Sequence, residues 1–203
     1  MPSGAFPSGY DGNATPTGTP TRPTRGTVEV GRMSAIASGE LVAQFRDAAA
    51  DADIETSHVS ADDATAAVAD ACRGETVASA LPFESVDLPA DVTVDPSTDQ
   101  LRAAETGVTA GTLAVAEYGT VVITPSERKE GSVSLVPTRH VAVVRARDVV
   151  PDMPAGFDRL AEAFAAGADD AVLVTGPSAT GDMGEIVQGV HGPAEMHVVV
   201  VNS

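Results

Sequence analysis

Apolar residues recur at helical spacing in a few stretches of the chain and gather into short continuous runs elsewhere. Ile36, Leu41, Val42 and Phe45 predict an amphipathic helix near 37–50. Ala64, Ala67, Val68 and Ala71 mark one face of a second helix, with Ser60 as its cap and Asp62 and Asp63 in its first turn. Short strands are predicted over 75–81 and 92–95, and a short helix over 97–105. Two β-type runs, 113–117 and 120–124, join at Tyr118-Gly119 as a hairpin or a sharply bent strand. Strands over 132–136 and 140–144 come next, then a helix over 155–166. A strand over 171–175, a glycine-rich loop and a last strand over 196–201 complete the body. Helices alternating with continuous apolar strands predict an α/β layered domain with a mostly parallel sheet.

Residues 1–34 break this pattern. Pro2, Pro7, Pro16, Pro20 and Pro23 stand among repeated Thr and Gly with no apolar period. Such a composition does not offset its ordering entropy, so 1–34 reads as a disordered tail and 35–203 as the domain. Met33 is an alternative start.

At 203 residues the chain fits one domain with a tail. A single cysteine, Cys72, excludes a disulfide framework, a cysteine-based zinc site and a self-contained iron–sulfur cluster. Apolar runs of a few residues predict no membrane span. Met1 is followed by Pro-Ser-Gly rather than a basic start and an apolar core, so the expected compartment is the cytoplasm.

The formal charge is −17, from 29 acidic and 12 basic side chains. That disfavours sequence-independent contact with nucleic acid or anionic lipid. A patterned chain this acidic predicts the heavily carboxylated surface of a halophilic protein. The charge is uneven, however. Arg128, Lys129, Arg139, Arg145 and Arg147 fall within twenty residues that hold one carboxylate, Glu130. These cations either pair with the acidic surface or form a site for a small anion such as a carboxylate or phosphate.

The loop after 171–175 reads Gly176-Pro-Ser178-Ala-Thr180-Gly-Asp182-Met-Gly184. A glycine-rich turn at the carboxyl end of a buried strand is where open α/β sheets bind ligands. Ser178, Thr180 and free N–H groups suit an anion there. Asp182-Met183 stands where a P-loop needs Lys-Ser/Thr, so a P-loop is rejected, and the alternative is a capped turn. His191 sits in a tight Gly192-Pro193 turn and His197 starts the last strand. Their spacing matches no metal motif, and a hydrogen-bonded turn histidine is the plainer reading of His191. His140 follows Arg139 at a strand mouth, as a site residue or a strand-edge histidine. Glu117 ends an apolar run before Gly119 and Thr120, where a carboxylate calls for a partner, and an arginine of 128–147 would serve.

Five segments together resemble one family. Thr109-Ala-Gly-Thr-Leu-Ala-Val-Ala-Glu117-Tyr-Gly119-Thr120, Ser134-Leu-Val-Pro-Thr-Arg-His140-Val-Ala-Val-Val, Val149-Val-Pro-Asp, Thr175-Gly-Pro-Ser178-Ala-Thr180-Gly-Asp182 and Gly189-Val-His191-Gly192-Pro193-Ala-Glu-Met-His197 are similar to the lactate-utilisation (LUD) family, in its LutC/YkgG branch. The resemblance covers about 38–203. The family loop usually carries Arg and Glu where this chain has Ala179 and Gly184. The resemblance implies a three-layer, Rossmann-like domain of the NagB/RpiA/CoA-transferase-like fold. It also implies a non-cluster part in oxidising L-lactate to pyruvate beside iron–sulfur partner proteins, with no cofactor in this chain. Glu117-Tyr118-Gly119 is similar to the Glu-x-Gly element that supplies a nucleophilic carboxylate in CoA transferases. The alternative it raises is a stand-alone enzyme using Glu117.

Overall fold

The computed structural model describes residues 38–202 apart from Ser85, Arg128, Met183 and Gly184. The expected tail over 1–34, Met33 and Arg128 lie outside the described residues. In chain order the elements are α1 (Ser38–Asp51), β1 (Ile54–Ser60), α2 (Ala64–Ala71), β2 (Thr76–Ala78), β3 (Thr93–Val94) and α3 (Thr98–Ala103). Then come β4 (Thr106–Ala110), β5 (Leu113–Val115), β6 (Thr120–Ile123), α4 (Glu130–Leu135), β7 (Arg139–Arg145) and β8 (Val149–Val150). The remainder is α5 (Met153–Ala165), β9 (Val172–Val174), β10 (Ala179–Asp182), β11 (Glu185–Gln188) and β12 (Glu195–Asn202). None of these helices is long and apolar enough to cross a membrane.

The central sheet has six strands, all parallel, in the order β1-β12-β7-β4-β2-β3. Alternate residues of β7 and β12 feed two cores, as a strand covered on both faces must. Ala142, Val144, Val198 and Val200 pack beneath Val42 and Phe45 of α1. Val141, Val143, Val199 and Val201 pack against Ala64 and Val68 of α2. The expected mostly parallel α/β sheet with flanking helices is what forms.

Beside it stands a second sheet, β8-β5-β6-β9, that the sequence pattern does not predict as separate. The 113–124 run is its hairpin, with β5 antiparallel to β6. Leu113, Val115 and Val122 pack with Leu160 of α5, whose Asp152 cap accepts 2.9 Å from the Ala155 N–H.

Several elements depart from expectation. Residues 132–136, expected as a strand, lie mostly in α4. A short apolar run does not separate strand from buried helix, and Val133 is drawn under the sheet by Val77, Leu101 and Ala104. Glu130 stabilises the turn before α4 by accepting from the Ser126 N–H at 2.9 Å. Ser60 does not cap α2; it ends β1 and donates to Asp63, the residue before the helix, at 2.6 Å. Asp62 and Asp63 therefore precede the first turn. Strands β1 and β4 were not predicted. Finally, the glycine-rich stretch is not a loop throughout, because β10 and β11 form a hairpin.

Candidate functional site

Arg139 opens β7, between β12 and β4, and its register partner on β12 is Glu195. On the neighbouring pair, Glu55 of β1 is level with His197 of β12. These positions share the α2 face at the amino ends of the strands. Arg139 is only 4% exposed, and its donors are spent locally. Its Nε donates to the Ala71 carbonyl at the end of α2 at 2.8 Å, where the helix dipole favours a cation. Nη1 donates to Glu195 and Nη2 to Glu55, each at 2.5 Å. Arg73 donates to the same Glu195 oxygen. Burial works against the charge on Arg139, but Glu55 and Glu195 outweigh it and raise its pKa above the ordinary value. Hydrogen bonds from Arg139 and then His197 hold the Glu55 carboxyl below its ordinary value.

A cleft of about 400 Å³ opens over this cluster, lined among others by Asp53, Glu55, Arg73, Arg139, Pro177 and Glu195. Three carboxylates and two guanidinium groups face it. Of the five expected cations, Lys129 pairs with Asp95 and Arg145 with Asp148. Arg139 alone of these three faces the 176–178 turn, and it does so already paired.

The turn that carries Pro177 into that cleft presents Gly176 and Ser178 to a second, smaller cavity of about 190 Å³. This cavity is mainly apolar, with Leu135 and Leu173 on its walls and Ser178, His191 and Gly192 at its polar side. Two backbone bonds hold it: Ser178 N–H to the Pro193 carbonyl and Gly189 N–H to the Ser178 carbonyl, both 2.8 Å. Gly176 has φ +87°, and a Cβ there would lie 2.6 Å from the Ala52 carbonyl oxygen, so glycine is required. Thr120 is tied to this turn, since its Oγ1 lies 2.6 Å from that of Thr175. The structure thus gathers Gly176, Ser178, His191 and Gly192, with Thr120 one bond away. The strand before the turn, β9, is no buried parallel strand but a partly exposed edge antiparallel to β6. The carboxyl-end argument does not apply to it.

The other expected residues lie elsewhere. Thr180 pairs with Val187 and Asp182 with Glu185 along the hairpin. The side chain of Asp182 is outside the described residues, as are Met183 and Gly184. His140 is 1% exposed, and its Nε2 lies 2.9 Å from the Thr109 hydroxyl. Burial pushes its pKa down to about 4, so it is a neutral core histidine at pH 7. Glu117 and Tyr118 line a third cavity with Gln44, Pro151, Asp152 and Met153. The Glu117 carboxylate is exposed, and none of Lys129, Arg139 and Arg145 is its partner. Gly119 has φ +64°, and a Cβ there would lie 2.5 Å from the backbone nitrogen of Ala49 in α1. Among the described residues no three His, Cys, Asp or Glu side chains are grouped to hold a metal ion. Cys72 is half-buried, and burial pushes its thiol pKa up.

Sequence reasoning missed Glu55, Ser57 and Glu195, and considered His197 only as a metal ligand. The alternation in Ile54-Glu-Thr-Ser-His-Val-Ser60 was the available signal for β1.

Comparison with known proteins adds four findings. The LUD domain family model matches residues 42–201. Lactate utilization protein C of Bacillus licheniformis is 36% identical over 113 residues, 53% of this chain and 46% of that protein. The protein of the same description from Deinococcus radiodurans is 29% identical over 174 residues, 82% of each chain. The match therefore spans about half the length of the Bacillus relative and most of the Deinococcus one. The crystal structure of a DUF162 family protein from Deinococcus radiodurans superposes with a TM-score of 0.65 at 25% identity, covering 82% of this chain and 99% of the other.

Proposed function

The chain belongs to the LUD domain family, and on that premise we propose that it is the non-cluster component of an L-lactate utilisation system. Its relatives carry lactate utilisation in their names. The oxidation of lactate to pyruvate needs an electron acceptor, and one half-buried cysteine offers no cluster site. Iron–sulfur centres would then reside in partner proteins, and this chain would bind them together with a small anion.

The observation that carries the anion is the smaller cavity. It is large enough for a three-carbon acid, with an apolar wall from Leu135 and Leu173 for a methyl group. Ser178 and His191 supply hydrogen-bond donors for a carboxylate at its polar side. The carboxylate-filled cleft over Arg139 is poorer for an anion, because Glu55 and Glu195 already occupy that guanidinium.

The test is thermal melting of the full chain with lactate, pyruvate, phosphate and CoA. Lactate or pyruvate should raise the melting temperature, and His191→Ala and Ser178→Ala should abolish the shift without unfolding the protein. A shift with CoA that Glu117→Gln removes would favour the stand-alone enzyme instead.

A further inference from the structure

Ser57, His197 and Glu55 form a chain of hydrogen bonds that the lactate reading does not use. Ser57 Oγ lies 2.8 Å from His197 Nε2, and His197 Nδ1 lies 3.3 Å from Glu55 Oε2. Glu55 and Ser57 are two apart on β1, so they share a face, and β12 places His197 level with Glu55. Nucleophile, base and orienting carboxylate thus stand in the order that nucleophilic catalysis needs. We propose that Ser57 is an acyl-accepting nucleophile, activated by His197 and oriented through Glu55, that cleaves carboxylic esters of short acyl chains.

Three further features fit that role. Glu55 would be a loose surface carboxylate, but the buried Arg139 clamps the same oxygen that faces His197. His197 Nδ1 lies 3.3 Å from Glu55 Oε2 and 3.4 Å from Arg139 Nη2; with its proton on Nδ1 the ring donates to Glu55 and leaves Nε2 to accept from Ser57. Burial, more than any neighbouring charge, lowers the His197 pKa, which keeps the ring neutral and able to take a proton at pH 7. The adjoining cleft of about 400 Å³ is lined by Glu55 and by the half-exposed Arg73, whose guanidinium pairs with Glu195.

In the acylation step Ser57 Oγ bonds to the ester carbonyl carbon as its proton passes to Nε2. The bond from that carbon to the alcohol oxygen breaks, and the leaving oxygen takes the proton from Nε2. Water then attacks the acyl-serine, giving one proton to Nε2, and Ser57 Oγ recovers it on leaving. The sum is ester plus water giving acid plus alcohol.

The experiment treats the full chain with a fluorophosphonate probe and, separately, with p-nitrophenyl acetate. One adduct should map to Ser57 and vanish in Ser57→Ala, a substitution that removes a single partly buried hydroxyl. His197→Gln should slow labelling ~100-fold or more. The labelling rate should rise with pH as His197 loses its proton, and Glu55→Gln should move that profile. The charged groups acting on His197 there are Glu55, Arg139 and Arg73. Absence of any adduct on protein shown folded by circular dichroism, or equal labelling of Ser57→Ala, would overturn the proposal.

Discussion

Arg139 and Glu55 share one ion pair across the boundary of the protein: the arginine side chain is 4% exposed and the glutamate 57%. Removing either partner therefore has unequal effects. Arg139→Met leaves the Ala71 carbonyl without its donor inside the fold and should cost about 2 kcal/mol. Glu55→Gln returns an exposed group to water and leaves Arg139 its bond to Glu195, so the loss should stay under about 1 kcal/mol. Urea unfolding of the two variants checks the order, and equal losses would contradict it.

His140 gives a second prediction, in pH. Its folded pKa of about 4 lies below the ordinary 6.5, so between those values the unfolded chain binds more protons. Stability should fall as pH drops from 6.5 towards 4, by up to roughly 3 kcal/mol from this group. Glu55 adds to the loss only at lower pH, because its carboxyl titrates below its ordinary 4.5. Urea midpoints compared at pH 7 and 4.5 should differ less in His140→Gln than in the parent protein.

A third prediction concerns two glycines with positive φ. At Gly119 an added Cβ would lie 2.5 Å from the Ala49 nitrogen, whereas at Gly167, with φ +108°, it would meet nothing within 4 Å. Gly119→Ala should thus cost at least ~3 kcal/mol, from strain and displaced helix backbone together. Gly167→Ala should cost only ~1–2 kcal/mol of backbone strain. Calorimetry on both would show whether the turn before β6 is clamped to α1 as tightly as the geometry says.

Salt gives the fourth. With a net charge of −17, repulsion among carboxylates should weaken as the Debye length shrinks from ~10 Å at 0.1 M to ~3 Å at 1 M. The melting temperature should climb over that range. A flat response would contradict the reading of a heavily carboxylated surface that repels itself at low salt.

The elements legible in the sequence were those with one strong period. Helices α1 and α5 and strand β12 show it over ten residues or in unbroken Val runs. Strand β1 was missed because only Ile54 and Val59 are large and apolar in it, its other positions serving the polar face. Val133 looked like a strand residue because nothing local distinguishes a sheet from a helix lying on one. The approach of Gly176 to His191 was readable from two glycine-rich turns beside one last strand. The carboxylates that neutralise Arg139 were not, for they sit 84 and 56 positions away and only the strand order joins them.

That strand order also sets a sequence of events in time. Among the described residues β1 pairs only with β12, and β12 is what joins it to β7. About 140 residues must leave the ribosome between β1 and its partner, so the sheet cannot be completed until β12 has been made. Until Glu195–Asn202 arrives, β1 and β7 both keep open edges, and folding should be slow and dominated by distant contacts. A nascent chain stalled before residue 195 would be a client for chaperones, with β1 left unpaired beside a four-stranded sheet β7-β4-β2-β3.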